Sequence, residues 1–275
     1  MPDLPFTPQL FAILSALVEE RTGIHYALDD KDLFGDKLSA RAVDAGFDSL
    51  LDYYYFLRYD ETSGAEFDAL IDALVVGETY FFRELGALEV LVSDFIVPAL
   101  EATSGRVRVW SAACATGEEP LTLAMLLAER NLLDRVEIVA SDISLRALDR
   151  AKNGDHSRRS VRDDPPARLV SAYLNERGGR WEAPASLRSA IDWRRVNLVD
   201  TAQVAALGAF EAILCRNVLI YYTDATARGV VNRLASALVP GGALLVGVSE
   251  SLLRFGTSLA CEERKRVFVY RKPSA

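Results

Sequence analysis

The fold is decided by the sequence VRVWSAACATGEEP, residues 107–120. It begins with a short run typical of a buried strand, continues through small side chains, and places Glu118 and Glu119 at the start of an apolar helical stretch. A strand, a tight turn and a helix in this order form the first half of a βαβ unit. The stretch therefore predicts a parallel sheet that is covered by helices.

The same alternation continues toward the C-terminus. Strands are predicted at 136–141, 191–196, 209–215 and 243–248, and helices at 118–130, 144–153 and 224–239. Residues 258–271 hold a charged turn between apolar runs, which predicts an antiparallel hairpin at the sheet edge. The predicted fold class is α/β with a Rossmann-like sheet.

The chain before this sheet predicts a separate all-helical domain, residues 1–76. Thr7 and Pro8 start the first amphipathic helix, and further helices are predicted at 31–45, 49–59 and 63–75. Residues 1–75 contain five basic and fifteen acidic residues, so this domain is strongly acidic. Residues 77–104 form a linking motif and a connecting helix at 86–102, with a kink expected at Pro98. The sheet domain then occupies 105–275.

One interval, residues 154–190, does not fit the alternation of strands and helices. It is long and rich in Arg, Gly and Pro, and structureless connections of this length are uncommon in compact domains. We expect a small inserted subdomain with a helix near 166–174 and weak strands around Trp181 and Leu187. An irregular surface excursion is the alternative.

Composition excludes several function classes. A net charge of −8 argues against nucleic-acid binding, which relies on clustered Lys and Arg. The apolar runs are interrupted or shorter than the roughly 20 residues of a membrane helix, and residues 1–9 lack a signal-peptide pattern, so we expect no membrane insertion and a cytoplasmic protein. Three dispersed cysteines and two distant histidines, His25 and His156, predict no metal site. We expect both histidines at the surface or at helix ends.

Polar residues follow the predicted strands where ligands bind parallel sheets, outside the carboxyl ends. Asp142 follows the second strand and can accept hydrogen bonds from ribose hydroxyls, and Arg216 and Asn217 follow the fourth. The first turn holds one glycine and two acids in place of the G-x-G-x-x-G of nicotinamide enzymes, so it would repel a pyrophosphate. Glu118 and Glu119 suit a ligand with hydroxyls, an ammonium group and a sulfonium, which S-adenosylmethionine combines. The alternative is that both acids only complement a helix dipole.

Five motifs then resemble one family, the CheR-type chemotaxis receptor methyltransferases. They occur in the family's order over nearly the whole chain: VGETYFFRE at 76–84, VWSAACATGEEP at 109–120, ASDIS at 140–144, CRNVLIYY at 215–222, and PGG at 240–242 through SES at 249–251. The resemblance implies a class I methyltransferase sheet, an N-terminal all-helical domain and a small inserted β-subdomain.

The resemblance also implies roles for individual residues. Arg83, Tyr221 and Arg216 would be catalytic; the cofactor would be contacted by Thr79, Arg83, Ala113, Glu118, Asp142, Asn197, Leu198, Arg216 and Asn217. Asn197 and Leu198 would lie at the adenine. Gly77 departs from the family, whose members commonly have asparagine two positions before the motif threonine.

The implied reaction is methylation of glutamate side chains by S-adenosylmethionine, which leaves S-adenosylhomocysteine. The implied partner is the cytoplasmic region of a methyl-accepting chemotaxis receptor, with a receptor C-terminal tail as a further option for the insert. In the family a basic helix faces the receptor, represented here by Lys31, Lys37 and Arg41. The alternatives are a nicotinamide-dependent oxidoreductase and a catalytically silent module that binds the cofactor or its product.

Overall fold

The computed structural model describes residues 4–162 and 164–274. The chain forms two compact units, one that runs to Val76 and takes in Tyr221–Thr226, and one that holds Gly77–Ile220 and the chain from Ala227 onward. No helix among the described residues is long and apolar enough to cross a membrane.

The first unit is built from four amphipathic helices. They are α1 Pro8–Thr22, α2 Lys31–Asp44, α3 Leu50–Tyr59 and α4 Gly64–Leu74. Helix α1 starts where the Thr7 hydroxyl accepts a hydrogen bond from the Leu10 amide at 3.2 Å, and it ends at Gly23, whose φ of 78° permits the left-handed cap. The apolar faces meet in a core that includes Leu14, Phe34, Leu38, Leu57 and Leu70.

A polar triad lies within this helical unit. The guanidinium of Arg41 donates two hydrogen bonds to Glu66, at 2.7 and 2.8 Å, and the Tyr53 hydroxyl donates a third at 2.6 Å. Burial first, and then the hydrogen bond to Glu66, raise the pKa of Tyr53 well above its ordinary value. The triad joins α2, α3 and α4 through one partly buried acceptor, the Glu66 carboxylate.

The second unit alternates helices and strands. Its elements are α5 Leu85–Leu91, α6 Val97–Glu101, β1 Val107–Ala112, α7 Glu118–Glu129, β2 Val136–Asp142, α8 Leu145–Asn153, β3 Asp155–His156, α9 Ala167–Tyr173, β4 Asn175–Arg177, β5 Arg180–Glu182, α10 Ala185–Arg188, β6 Ile191–Arg195, α11 Thr201–Ala206, β7 Phe210–Cys215, α12 Asp224–Ala237, β8 Leu238–Val246, β9 Ala260–Arg264 and β10 Val267–Arg271.

Seven strands form one sheet in the order β6-β2-β1-β7-β8-β10-β9. The first five are parallel, and β10 and β9 pair antiparallel as the predicted closing hairpin. The chain moves outward from β1 through β2 to β6 and then returns to β7 on the other side of β1. The strand order therefore reverses between β1 and β7, which is where open α/β sheets bind ligands. The predicted fold class, including the helical N-terminal domain, is confirmed.

Two local predictions are corrected. Leu187 lies in the short helix α10 and not in a strand; the insert's small sheet instead has the order β3-β5-β4 and contains Trp181. The connecting helix is irregular at a π-helical turn, Val92–Ile96, one turn before Pro98. Proline has no amide to donate to the carbonyl of residue 94, which explains why the regular ladder is interrupted there.

We predict that Tyr53→Phe lowers the free energy of unfolding by about 1.5–3 kcal/mol, because it removes a hydrogen bond from a buried hydroxyl to a partly buried carboxylate. Urea titration followed by circular dichroism measures the change. Tyr55→Phe on the same helix is the matched control, since Tyr55 is 52% exposed, and it should change the free energy by less than about 0.5 kcal/mol. Equal effects of the two substitutions would contradict a stabilising triad.

Candidate functional site

The turn after β1, residues 113–117, has an unusual backbone. Ala113, Ala115 and Gly117 have φ values of 57°, 47° and 92°, in the left-handed region that non-glycine residues rarely occupy. The turn is held by the neighbouring strand, because Cys114 donates its amide to the Ser141 carbonyl at 2.9 Å and Ala115 donates to Asp142 Oδ2 at 2.8 Å. Such strained turns occur at binding sites, where they bring backbone close to a ligand.

Three carboxylates surround this turn. The pKa of the Cys114 thiol is raised well above its ordinary value, first by burial and then by the charges of Asp142, Glu119 and Glu118. The thiol therefore lies within a locally negative field. Asp142 itself fixes two backbone segments, since its Oδ1 also accepts the Ser144 amide at 2.9 Å.

Glu118 is covered by protein. Its side chain is 2% exposed; Oε1 lies 2.9 Å from His156 Nδ1, and Oε2 accepts a hydrogen bond from the Thr116 hydroxyl at 2.7 Å. Burial favours the neutral acid, but the bond and the charge of His156, together with the Thr116 bond, outweigh it and lower the pKa of Glu118. His156 is 1% exposed on strand β3, so the expectation of a surface or helix-end histidine is wrong for this residue.

Arg216 is buried in an ion-pair network. Its Nη1 donates to Glu119 at 2.8 Å, and its Nη2 donates to Glu84 at 3.0 Å and to the Arg83 carbonyl at 2.8 Å. Burial would lower the pKa of Arg216, but Glu119 and Glu84 raise it above its ordinary value. The guanidinium side chain is 2% exposed, so its geometry favours positioning over contact with a reacting atom.

Glu250 organises the turn after β7. Its carboxylate accepts the backbone amides of Asn217 at 2.7 Å, Leu219 at 2.8 Å and Gly247 at 2.8 Å. Asn217 is left-handed, with φ of 58°, and this amide cluster fixes it at the end of the strand. Each carboxylate oxygen can accept more than one hydrogen bond, so this one side chain satisfies all three amide donors.

Arg83, in the segment 78–84, has looser contacts than the buried Arg216. Arg83 donates to the Glu78 carbonyl at 3.3 Å and lies 5.5 Å from the centre of the Tyr80 ring. Among the described residues Arg83 forms no ion pair, and its chain neighbour Glu84 binds Arg216. Arg162, from the insert, packs on the same ring at 3.7 Å. Thr79 is half-buried beside them.

The remaining predicted residues take various positions. Asn197 and Leu198 follow β6. The backbone N–H of Asn197 donates to Gln203 Oε1 at 2.9 Å, and Leu198 is buried. Tyr221 belongs to the helical unit, where its carbonyl accepts the His25 amide at 2.9 Å. Gly77 is exposed, with open space around the position of a Cβ atom.

The second unit thus brings together Ala113, Glu118, Asp142 and Asn217 at the carboxyl ends of β1, β2 and β7, with Arg216 beside them. Sequence reasoning missed Glu119 as the partner of Arg216, Glu250 as the amide acceptor, and His156 as the partner of Glu118. Glu119 and Glu250 lie inside motifs that the sequence analysis quotes, so their position there could have indicated a role. No local pattern distinguished His156.

Two of the three basic residues expected to face a receptor form hydrogen bonds within the helical unit. Arg41 binds Glu66, and Lys37 donates to the Leu74 carbonyl at 3.1 Å, with its pKa lowered by burial. Lys31 lies 5.8 Å from the ring centre of Phe6. These contacts leave less positive charge for a partner than the sequence indicates.

The donor chemistry of this edge fits S-adenosylmethionine. The edge gathers the carboxylates of Glu84, Glu118, Glu119 and Asp142 around the strained turn and the buried Arg216. A sulfonium and an ammonium group complement such a cluster of acids, whereas a pyrophosphate would be repelled. Asp142 stands at the end of the second strand, where an acidic residue contacts the ribose in dinucleotide-binding sheets.

We predict that Arg216→Ala lowers the free energy of unfolding by about 3 kcal/mol, because Glu84 and Glu119 lose their shared buried counter-charge. Chemical denaturation followed by intrinsic fluorescence measures it. Arg228→Ala on α12 removes an exposed arginine and should shift the free energy by less than about 0.5 kcal/mol. A loss at Arg216 no larger than at Arg228 would show that the network does not hold the site together.

Comparison with known proteins identifies the family. The family model for the CheR methyltransferase SAM binding domain matches residues 77–268, and that for the CheR methyltransferase all-alpha domain matches residues 9–75. Chemotaxis protein methyltransferase 2 of Vibrio cholerae is 35% identical over 259 residues, which cover 92% of this chain and 89% of that protein. Chemotaxis protein methyltransferase 1 of Pseudomonas aeruginosa is 33% identical over 251 residues, 88% of this chain and 90% of that protein.

Among solved structures, an O-methyltransferase family protein from Burkholderia thailandensis is 13% identical, with a TM-score of 0.43, and covers 96% of this chain and 84% of that one. At this similarity it carries no weight for function, which rests on the family match over both units. The chain therefore belongs to the CheR methyltransferase family and is an S-adenosylmethionine-dependent methyltransferase.

Proposed function

We propose that the protein transfers a methyl group to glutamate side chains in the cytoplasmic region of methyl-accepting chemotaxis receptors, giving glutamyl methyl esters. The observation that carries the proposal is Arg83, a guanidinium without an ion-pair partner among the described residues, in an edge otherwise rich in carboxylates. It is available to an incoming carboxylate. The relatives from Vibrio cholerae and Pseudomonas aeruginosa, both chemotaxis protein methyltransferases, support the receptor as the substrate.

The proposed roles divide between holding the cofactor and holding the substrate. Asp142 binds the ribose hydroxyls, the turn at Ala113 brings backbone to the methionyl part beside Glu118, and Asn197 and Leu198 lie at the adenine. Thr79 and Asn217 complete the cofactor site. Arg83 orients the substrate carboxylate, and Arg216 holds the Arg83 segment in place. The catalytic role of Tyr221, which lies in the helical unit, stays a prediction from the family resemblance.

The reaction needs no general base from the protein. A glutamate carboxylate with an ordinary pKa near 4.3 is already ionised at neutral pH. When bound, S-adenosylmethionine supplies an electrophilic methyl group on a sulfonium. That methyl group would pass to a carboxylate oxygen while the sulfur would leave with the bonding electrons as a neutral thioether, so the protein's residues would have no proton to move.

The protein's contribution is alignment and exclusion of water. Bringing two reactants into line can contribute several kcal/mol to catalysis. Arg83 is suited to this role because its own contacts are a backbone carbonyl and an aromatic face, which leave the guanidinium free to turn. Its hold on the substrate has to be moderate, since a charge pair stronger in the ground state than in the transition state slows the reaction.

Incubation with radiolabelled S-adenosylmethionine and a receptor cytoplasmic fragment tests the proposal. We expect label on the fragment that is released by mild alkali, because glutamyl esters hydrolyse readily in base. A fragment with its candidate glutamates changed to alanine is the control and should stay unlabelled. Alkali-stable label would indicate transfer to nitrogen or sulfur, and binding of cofactor without any transfer would indicate a silent module.

We predict that Arg83→Ala and Asp142→Asn have separable effects. Arg83→Ala should lower kcat by about a hundredfold and change the S-adenosylhomocysteine Kd by less than about threefold, because its role is in orientation. Asp142→Asn should raise that Kd by about tenfold, because the amide replaces a charged acceptor of ribose hydroxyls. Calorimetry gives Kd, and the methyl-transfer assay gives kcat. A similar loss of cofactor affinity in both variants would refute this division of roles.

A further inference from the structure

The proposed chemistry does not use His156, yet its ring is buried and makes a specific contact with Glu118. The ring is 1% exposed, and its Nδ1 lies 2.9 Å from Glu118 Oε1. Its Nε2 is buried without a hydrogen-bond partner among the described residues. A buried polar atom without a partner costs free energy. We therefore look to the contact between Nδ1 and Glu118 for the reason that the ring is buried here.

The direction of the bond between His156 and Glu118 follows from the acceptor. An ionised carboxylate can only accept, and the lowered pKa of Glu118 keeps it ionised at neutral pH, so Nδ1 carries the proton and donates. The second oxygen of Glu118 accepts from the Thr116 hydroxyl at 2.7 Å. Thr116 lies within the strained turn 113–117. A continuous chain of hydrogen bonds therefore runs from His156 through Glu118 to the turn.

The insert fixes His156 from the other side. His156 pairs with Trp181 in the small sheet of β3, β5 and β4, so its backbone is held by the insert. Its ring contacts the Phe81 ring edge-on at 4.7 Å between centroids, and the Phe81 amide donates to the Ser160 carbonyl at 2.7 Å. His156 thus lies where the insert, the 78–84 segment and the start of α7 meet.

We propose that His156 is a positioning residue for cofactor binding, which holds the Glu118 carboxylate and, through Thr116, the turn 113–117 in the geometry that receives S-adenosylmethionine. It gives the insert a structural role in the cofactor site, in addition to any contact with a substrate. The inference rests on the proposed function only in placing the cofactor at this turn.

Simple packing of the ring against Phe81 is the competing explanation, and substitutions separate the two. Asparagine places an N–H donor near the position of Nδ1 but removes the ring. Glutamine carries the same amide one carbon further, near the position of Nε2, and is not expected to reach Glu118. Phenylalanine keeps the ring and removes the donor. The first two variants differ in reach alone, so their comparison tests the hydrogen bond.

The experiment measures S-adenosylhomocysteine affinity by calorimetry on the full chain, with thermal unfolding as a check of the fold. We expect His156→Asn to stay within about threefold of the wild-type Kd, and His156→Gln and His156→Phe to raise Kd by about tenfold or more, the size expected for a lost hydrogen bond to a buried charge. In a Glu118→Gln background, His156→Phe should add little further loss, because the two residues act as one unit.

Several outcomes would overturn the inference. They are a loss of affinity in His156→Asn as large as in His156→Gln, wild-type affinity in His156→Phe, or additive effects with Glu118→Gln. If the glutamine or phenylalanine variant does not fold, the affinity of folded His156→Asn still tests the inference. Tight binding supports the positioning role of the hydrogen bond to Glu118, and weak binding refutes it. Failure of the wild type to bind S-adenosylhomocysteine would instead refute the proposed function.

Discussion

Burial of the Arg216 guanidinium is the constraint on which the carboxyl edge of the sheet depends. One side chain joins the end of β7, the start of α7 and the 82–84 segment, through Glu119, Glu84 and a backbone carbonyl. Phe82 and Glu84 have φ values of 65° and 51°, a costly backbone that such contacts have to stabilise. A planar guanidinium with five donors in fixed directions can make these contacts at once, which a lysine cannot.

The charged groups at this edge have different structural roles. Arg216 is enclosed by acids and serves the architecture, whereas Arg83 keeps looser contacts with a carbonyl and a ring. Glu250 takes three backbone amides and so fixes the turn after β7 without any basic partner in those contacts. Most of the charged groups described at this edge therefore hold backbone segments and one another in place.

Much of this could be predicted from the sequence, because hydrophobic periodicity reports directly on burial. The parallel strands, the helical domain and the closing hairpin all follow from local patterns of 5–15 residues. The position of Asp142 after its strand is equally local. The His156 pair with Glu118 joins residues 38 positions apart through a two-residue strand, and no pattern in either segment indicates it.

The other discrepancies have similar physical causes. The irregular turn at 92–96 arises from an amide that Pro98 lacks, and its effect appears one turn earlier in the chain than the proline itself. The helix at Leu187 is four residues long, too short for periodicity to separate it from a strand. Basic residues such as Arg41 look available in a sequence, but their pairing partners lie on other helices and become visible only in three dimensions.

The two outermost strands of the large sheet, β6 and β9, have a consequence for self-association. An open sheet leaves unpaired backbone groups along its first and last strand, and these can recruit a strand from another molecule. Here β6 ends in the exposed Arg194 and Arg195, and β9 carries Glu262, Glu263 and Arg264. Charges at these positions oppose edge-to-edge pairing between molecules, so the sheet can end at both sides without promoting aggregation.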